Sequence, residues 1–380
     1  MSEHRIAELQ RRMAEADVDV FVLGDADSIY YFANFWNYLG MEFGRATLAV
    51  VPKHGEPVLI APAMETEMAR TLTSFPRVIP WADGEGGEWI TPLVEAVSVA
   101  GGTIGIERHK THPSVLHSIE SALTNQMLID ASAITSAMRM VKTADEIAFM
   151  RQAGQVAVAM GEAGRDAIGV GVPEYEVSLA VVAAGTRKAA ELLEGTNDAY
   201  MMSPSIYNLQ ILQSGRHTCM VHGRPTTHVI EHGEPVYLCF CGIANFRQFK
   251  LGFDRQYFVG DVTDEIARTY ETTLEAQRAA LAEIRPGAVA EEVNRAAEEV
   301  YLSAGFGPSY RTGRGIGYSY LEEPQLKRGD TTRLQAGMTF AVDGGITVDG
   351  QYGTRVGDSI VVTEDGFEWL TDMPKALETL

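Results

Sequence analysis

The sequence has few cysteines and no long apolar run. Only three cysteines occur among its 380 residues, Cys219, Cys239 and Cys241, which are too few and too clustered for a disulfide framework. No run of about 18 apolar residues is present to cross a membrane, and the charged, amphipathic N-terminus has no apolar signal core. We therefore expect a cytoplasmic protein that is neither secreted nor inserted in a membrane.

Basic charge is scarce as well. The chain has 31 Lys and Arg against 51 Asp and Glu, a net charge of −20. Because proteins bind phosphate backbones through a basic face, nucleic acid is not an expected partner. The acidic surface is explained most simply by solubility. With 46% apolar residues the chain is long enough to form two domains.

Helix and strand patterns mix in the first 140 residues. An amphipathic helix is predicted at Ile6–Ala16, a buried strand at Val18–Gly24 and an aromatic loop at Tyr30–Trp36. His54-Gly55 forms a predicted hairpin turn between two β-rich runs. The further strands are predicted at residues 46–51, 57–61, 103–107 and 127–130. These elements predict an α/β domain.

A domain boundary is predicted near Lys142. Thr143 and Glu146 have the spacing of a capping box and open a long amphipathic helix. We therefore divide the chain into a domain of residues 1–140 and a second of residues 141–380.

The second domain contains a weak internal repeat. Five residues, Ile168, Gly171, Glu176, Val177 and Ala180, recur at the same spacing as Ile284, Gly287, Glu292, Val293 and Ala296. Each set lies at a turn before a helix, which indicates one supersecondary unit used twice. Strand-like runs follow each helix, so we expect a duplicated α+β domain with an antiparallel sheet covered by helices on one face.

The segment Met138–Glu146 resembles the interdomain stretch of the creatinase, aminopeptidase P and prolidase superfamily. Further landmarks follow in the same order: Gln213-Ser214-Gly215, Gly233-Glu234-Pro235-Val236, Arg255 to Gly260, Gly313 to Gly317, Leu334 to Val342, and Val362 to Gly366. The resemblance implies an α+β architecture, in which an N-terminal α/β creatinase-type domain precedes a duplicated pita-bread domain.

The resemblance does not extend to the metal site. Metallopeptidases of this superfamily bind two ions through two aspartates, one histidine and two glutamates. By motif, these five places fall here at Phe240, Gly252, Arg314, Asp343 and Gly357, and no histidine follows His232. Phe and Gly side chains offer no ligand atom, and Arg is a fixed cation. We therefore predict no metal and no other cofactor, as in the metal-independent creatinase branch.

Residues of the creatinase site can be placed on this sequence by motif. The resemblance assigns the catalytic histidine to His222 and the carboxylate-binding arginine to Arg311. Asp254 and Asp343 take the places of two glutamates that bind a guanidinium group, and Phe43 and Arg45 match an element that comes from the neighbouring subunit of a homodimer. Arg314 stands where creatinase has a histidine, and we include it among the substrate-binding residues because its positive charge changes the site.

These residue types suit cleavage of a C–N bond in a small zwitterion. A histidine that titrates near neutral pH can deprotonate water and then protonate the leaving nitrogen. Paired carboxylates can hold a cationic carbon group, and an arginine fork can hold a carboxylate. The predicted function is a metal-independent, creatinase-like hydrolase of a guanidino acid such as creatine or a cyclic amidine such as ectoine.

Other functions fit parts of the pattern. A lyase of the same fold, as in cleavage of dimethylsulfoniopropionate, is one alternative; a metallopeptidase with unusual ligands is another. A third is a catalytically inactive binding module, although retention of the histidine together with the arginines favours an enzyme.

Each site residue also has a purely structural interpretation. His217, His228 and His232 compete with His222 for the catalytic role. Asp254 can be an ion-pair partner of Arg255, Asp343 a turn cap, and Arg45 a surface partner of Glu42. Cys239 and Cys241 share one strand face, where buried core cysteine is favoured over a soft-metal pair.

Overall fold

The structure is a computed structural model that describes residues 2–36, 39–40, 44–84, 87–206, 209–241, 243–307 and 311–380. The chain divides into two compact units, Met1–Met138 and Arg139–Leu380.

The first unit is built on a six-stranded mixed sheet in the order β4-β3-β2-β1-β5-β6. Strand β1 pairs antiparallel with β2 and parallel with β5. Apolar side chains of α4 and α5, such as Leu93 and Ile119, pack in the same core as the sheet residues Val22 and Ile104. The elements are α1 (Ser2–Glu15), β1 (Val20–Leu23), α2 (Ala26–Ala33), β2 (Leu48–Pro52), β3 (Val58–Pro62), α3 (Thr66–Leu72), β4 (Arg77–Trp81), α4 (Ile90–Ala100), β5 (Thr103–Ile106), α5 (Pro113–Ala122), β6 (Met127–Asp130) and α6 (Ser132–Met140).

The aromatic segment predicted as a loop begins inside a helix. Residues Tyr30 to Ala33 belong to α2, so the prediction was wrong for this part. Asp25 caps the helix because its Oδ2 accepts the Ser28 N–H at 3.0 Å, and Asn34 ends it in the left-handed region at φ 54°. The sequence pattern does not predict this short helix, because an aromatic run is equally compatible with a buried helix and with a loop.

The second unit contains an eight-stranded sheet with the principal order β13-β12-β14-β15-β11-β8-β7, in which β16 pairs with β15. The pairings between these strands are antiparallel, as the sequence predicts. Its elements are α7 (Ala144–Ala167), α8 (Glu174–Leu193), β7 (Leu209–Ser214), β8 (Pro235–Cys241), β9 (Ile243–Phe246), β10 (Phe249–Leu251), β11 (Asp254–Phe258), α9 (Asp264–Ala282), α10 (Ala290–Ser303), β12 (Gly313–Gly315), β13 (Glu322–Leu326), β14 (Thr339–Val348), β15 (Tyr352–Val362) and β16 (Phe367–Trp369). The predicted capping box at Thr143 and Glu146 is confirmed at the start of α7.

The internal repeat is visible in the backbone before α8 and α10. In the first copy, the N–H groups of Gly171, Glu174 and Tyr175 donate to the carbonyls of Ile230, His228 and Thr226, respectively. In the second copy, Gly287, Ala290 and Glu291 donate to Leu334, Thr332 and Asp330, respectively. Three equivalent hydrogen bonds at the same relative positions confirm that one supersecondary unit is used twice.

At strand β14, one face of the sheet is apolar and the other is polar. Phe340 and Val342 lie in one core cluster with Ala276 of α9 and Val293 of α10. Because side chains alternate along a strand, Asp343 faces away from these helices. The face that points away from these helices carries the candidate site, and this face is called the open face below.

No helix in the described part of the chain has the length and apolarity needed to span a bilayer.

Candidate active site on the open face of the sheet

Two acids and a glycine form a row across three neighbouring strands. Asp254 on β11 pairs with Gly357 on β15, and Gly357 pairs with Asp343 on β14. Cys239 on β8 continues the row on the other side of Asp254. Register partners point to the same side of a sheet, so the two carboxylates share one face. Asp343 lies in mid-strand, and its interpretation as a turn cap was therefore wrong.

Gly357 allows the two acids to approach each other. A Cβ atom at this position would lie 2.5 Å from Asp254 Oδ2 and 3.0 Å from Asp343 Cβ. The space between the strands is therefore filled by the carboxylate groups, and no larger side chain fits at Gly357 without displacing them.

Asp343 is paired with a cation of its own chain. Arg314 on β12 donates through Nη1 to Asp343 Oδ2, and both side chains are buried. The guanidinium lies 4.1 Å from the Tyr320 ring centroid and donates through Nη2 to the Tyr320 hydroxyl. Oδ1 of Asp343 is buried and has no hydrogen-bond partner within the described residues. One oxygen of Asp343 is therefore held internally, and the hydrogen-bonding capacity of the other is unused within the described residues.

Asp254 has a different environment. Its Oδ1 accepts the Tyr237 hydroxyl at 3.2 Å. Burial raises the pKa of Asp254 to about 6, and the charge of Asp343 adds to this rise, whereas a hydrogen bond with Cys239 and the charge of Arg314 oppose it. Asp254 thus titrates close to neutral pH, where a carboxyl group can exchange protons with a ligand.

Arg255 does not neutralise Asp254. Its side chain donates to Asp358 Oδ1 at 2.7 Å, and the adjacent Asp254 points to the opposite face. The structural interpretation of Asp254 as the ion-pair partner of Arg255 was therefore wrong. Arg255 instead stabilises the backbone of the row from the other face of the sheet, because its Nη1 donates to the carbonyls of Asp254 at 2.7 Å and Gly357 at 2.9 Å.

Arg311 lies next to the acid row along the backbone. The following residue, Thr312, accepts the Asp343 N–H at 2.9 Å through its carbonyl. Thr312 is itself held by Asn294 of α10, whose Oδ1 accepts its N–H at 3.1 Å and its hydroxyl at 2.9 Å. Nε of Arg311 is buried without a hydrogen-bond partner among residues that the structure describes. Among the described residues, Arg311 thus has a buried donor without a partner, and its backbone neighbour Thr312 is hydrogen-bonded to the backbone of Asp343.

His222 lies in an exposed turn near the same part of the sheet. The adjacent Gly223 packs on Gln213 of β7, since a Cβ on Gly223 would be 2.5 Å from Gln213 Nε2. Gln213 is two residues from Ile211, which pairs with Cys239 of the acid row. At about 3.4 Å per strand residue, Gln213 is about 7 Å from the row along the strand.

The competing histidines His228 and His232 are linked to the far ends of the strands. His228 Nε2 lies 3.1 Å from both carboxylate oxygens of Glu234, which immediately precedes β8 and is five residues from Cys239, or about 17 Å. His232 packs on Gly260, which follows β11. By strand register, the His222 turn is closer to the acid row than these two side chains.

Arg45 and Phe43 belong to the first unit. Arg45 forms an ion pair with Asp83, and its guanidinium carbon is 5.3 Å from the Trp81 ring centroid. Its Nε is buried without a hydrogen-bond partner in the described part of the chain. Glu42 and Phe43 lie outside the described residues.

The donor set does not fit the dinuclear metal site of the metallopeptidases. Phe240 stacks on Phe253 with ring centroids 5.4 Å apart. A Cβ on Gly252 would be 2.6 Å from Ala341 Cβ and 3.1 Å from Arg314 Nη2. Arg314 thus brings a fixed positive charge to the place of a ligand. Within the described ranges, no group of three or more His, Cys, Asp or Glu side chains is arranged to hold a metal ion.

Sequence reasoning missed several residues that build this site. The prediction of Cys239 as a buried core cysteine is confirmed, but its position opposite Asp254 and its hydrogen bond with that residue were not predicted. Its alternation along β8 with Tyr237 was visible in the sequence, but the partner strand was not. Tyr320, which binds Arg314, had no sequence signal. The side chain of Cys241 lies outside the described set.

Comparison with known proteins agrees with this architecture. Residues 148–364 match the metallopeptidase family M24, and residues 5–141 match the creatinase/prolidase N-terminal domain. The Agropine synthesis cyclase of Rhizobium rhizogenes is 30% identical, over 97% of this chain and 94% of that protein. The Xaa-Pro dipeptidase of Lactobacillus helveticus is 27% identical, over 98% of both.

Solved structures show the same fold. The Xaa-Pro dipeptidase from Bacillus anthracis superimposes with a TM-score of 0.85 at 26% identity and covers 100% of both chains. The chain therefore belongs to the metallopeptidase family M24 and is an enzyme of this family of hydrolases. It also contains a creatinase/prolidase-type N-terminal domain.

Proposed function

We propose that this protein is a metal-independent hydrolase that cleaves a C–N bond in a small zwitterion, such as a guanidino acid or a cyclic amidine. The observation that carries this proposal is the buried row of Asp254, Gly357 and Asp343 with Arg314 bound to Asp343. A guanidinium of the chain occupies the place where relatives of the metallopeptidase type need a metal ligand.

The acids suit a cationic group of the substrate. Asp343 Oδ1 and the Asp254 carboxylate can each accept an N–H from an amidinium or guanidinium carbon group. A bound cation also favours the ionised form of Asp254, which a pKa of about 6 already makes the main form at neutral pH. Arg311, with an unused donor, can hold the carboxylate of the same ligand.

The chemical step is assigned to His222. In this mechanism His222 accepts a proton from water while the water oxygen bonds to the amidine carbon. The C–N bond then breaks, and the same histidine returns the proton to the leaving nitrogen. The hydroxyl group on the carbon loses its proton to the released amine and becomes a carbonyl oxygen, so the carbon exchanges one nitrogen for oxygen with no redox change.

Two further assignments rest on the resemblance alone: Phe43 and Arg45 act in the site of a neighbouring subunit, and the enzyme is a homodimer. Its location in the cytoplasm is proposed from the scarcity of cysteine and the absence of an apolar signal core.

The test is turnover of creatine and ectoine in water enriched in ¹⁸O, with products identified by mass spectrometry. Hydrolysis predicts one ¹⁸O atom in the carbonyl product and turnover by the His222→Ala variant that is at least about 100-fold slower. A product without label would indicate elimination and would overturn the hydrolase in favour of a lyase. Turnover of Xaa-Pro dipeptides alone would overturn the small-zwitterion substrate.

A second candidate is ring closure of an open-chain zwitterion. It is favoured by the similarity to the Agropine synthesis cyclase, which extends over 97% of this chain. Ring closure with loss of water is the reverse of ring opening by hydrolysis, so the same acids and histidine can serve both directions. A mass loss of one water from an open-chain acid would identify this activity.

A further inference from the structure

The segment that carries His222 is held at both ends by one buried carboxylate. Glu174, the first residue of α8, is only 1% exposed. Its Oε1 accepts the N–H and the hydroxyl of Ser214, each at 2.8 Å. Its Oε2 accepts the N–H of Thr226 at 2.8 Å and the hydroxyl of Thr226 at 2.7 Å. Ser214 and Thr226 flank residues 215–225, so Glu174 closes this segment into a loop.

The internal repeat shows that the fold itself does not require this carboxylate. The residue that corresponds to Glu174 in the second copy is Ala290, which is fully buried and makes the same backbone hydrogen bond. The second copy therefore builds the same turn and helix with a methyl group. The first copy places a charged group in the same position, and the four donors that it binds belong to the borders of the His222 segment.

We infer that Glu174 is a positioning residue, which fixes the His222 loop over the sheet by binding both of its ends. This inference rests on the proposed function, because it assumes that His222 acts in turnover. The loop is further attached to the sheet through Thr218, whose hydroxyl accepts the Gly353 N–H at 3.0 Å, and through Gln213, which binds the Met220 carbonyl.

Charge explains why a carboxylate is used. An ionised carboxylate accepts hydrogen bonds at both oxygens, and here it meets two backbone N–H groups and two hydroxyls. In a glutamine, the amide nitrogen would face one of the two backbone donors and leave it without an acceptor. Glu174→Gln is therefore expected to release one end of the loop, and Glu174→Ala both ends.

Amide hydrogen exchange tests the loop directly and needs no substrate. We expect faster exchange of residues 215–225 in Glu174→Gln and faster still in Glu174→Ala, with exchange in the rest of the sheet unchanged. Glu107→Gln is the matched control, because Glu107 is a fully buried carboxylate of the first unit that accepts from Ser28 and Thr135. This control is expected to leave exchange of the loop at the wild-type rate. Unchanged loop exchange in Glu174→Ala would overturn the inference.

Kinetics with creatine or ectoine, whichever is turned over, separate positioning from simple stability. A shift of the loop by about 1 Å is expected to lower kcat of Glu174→Gln about 100-fold, with KM changed less than about threefold. Glu107→Gln should retain kcat within about twofold even if its melting temperature falls. A normal kcat in Glu174→Ala together with an inactive His222→Ala would contradict the positioning role.

Two outcomes distinguish this inference from the proposed function. If His222→Ala turns substrate over normally, the proposed mechanism fails, and exchange of residues 215–225 still decides whether Glu174 orders the loop. If the Glu174 variants do not fold, the Ser214→Ala variant removes a single hydroxyl donor to Glu174 and leaves the carboxylate in place. It is expected to accelerate loop exchange, and unchanged exchange in this variant would again overturn the inference.

Discussion

At the scale of single residues, Asp254 and Asp343 show how neighbours in one row acquire different properties. Asp343 is bound to Arg314, whereas Asp254 is bound to a tyrosine hydroxyl and a thiol. The buried charge on Asp343 therefore has a compensating cation, and the charge on Asp254 has none in direct contact. Removing the charge of Asp254 should therefore stabilise the fold, whereas removing the charge of Asp343 should destabilise it.

The asparagine variants of these two acids test that difference. The pKa of Asp254 is higher in the folded than in the unfolded protein, so the folded state binds this proton more tightly. The free energy of unfolding therefore decreases as pH rises from about 4 to above 6 and Asp254 ionises in the folded state. Asp254→Asn should therefore raise the free energy of unfolding at pH 8 by about 2 kcal/mol and have little effect at pH 4. Asp343→Asn should lower it by about 3 kcal/mol, because Arg314 is left unpaired in a buried position. Urea unfolding at both pH values measures the changes, and a loss of stability in Asp254→Asn at pH 8 would contradict the account.

His222 should be essential for turnover and dispensable for folding. Its side chain is exposed, so His222→Ala is expected to keep the melting temperature and to lower kcat by about 100- to 10,000-fold. His228→Ala is the control, since His228 is bound to Glu234 at the far end of β8. The assignment fails if His228→Ala is inactive while His222→Ala is normal.

At the scale of elements, the register of β11, β15 and β14 brings the acids together, and Gly357 makes room for them. Gly357→Ala should destabilise the fold by about 1–3 kcal/mol, because its Cβ would collide with Asp254. Gly366→Ala is the matched control, since a Cβ there meets nothing within 4 Å. Urea unfolding compares the two variants, and equal stability would show that the row is not tightly packed.

Sequence patterns predicted the individual strands better than the register in which the strands pair. The strand Met127–Asp130 was predicted with the right bounds, and the other strands predicted in the first unit differ mainly at their ends, because alternation and apolar runs are local signals. Strand β4 was not predicted. The Asp343–Arg314 pair was not predicted, since the two residues come from different strands and the sequence does not give their register. The helical part of the aromatic segment was not predicted because α2 is too short to show a helical repeat of apolar residues. Its N-cap residue, Asp25, also lies outside the apolar run.

At the scale of the whole molecule, a buried ionic cluster connects the start of the second unit with β13. Glu322 accepts from Lys142 at 2.8 Å and from Arg139 at 2.5 Å. Burial opposes ionisation of Glu322, but the charges of Lys142 and Arg139 outweigh it and lower the pKa to about 2. The cluster therefore stabilises the fold above the ordinary glutamate pKa of about 4.5, and this stability is lost as pH falls towards 2.

Glu322→Gln should reveal this dependence. We expect a loss of about 3–5 kcal/mol in the free energy of unfolding at pH 7, because two buried cations lose their partner, and a smaller loss near pH 3. Glu368→Gln, which removes an exposed partner of Arg151, should cost less than about 1 kcal/mol. A loss in Glu322→Gln that is independent of pH would contradict the role of charge.

A shared site in a homodimer predicts complementation between subunits. His222→Ala and Arg45→Ala chains should each be inactive alone. Mixed at equal amounts after reversible dissociation, they should recover about a quarter of the wild-type activity, because half of the dimers then contain one intact site of two. Full activity in a strictly monomeric protein would reject the shared site.

The central claim is that this M24 enzyme acts without a metal ion. The most direct measurement is kcat of chelator-treated protein, with its metal content verified by mass spectrometry, on creatine and ectoine before and after addition of manganese, zinc or iron. We predict that the same rate is obtained in all cases, because Arg314 occupies the place of a metal ligand and is bound to Asp343. An enzyme that is silent after chelation and active only when the metal is restored would contradict the claim.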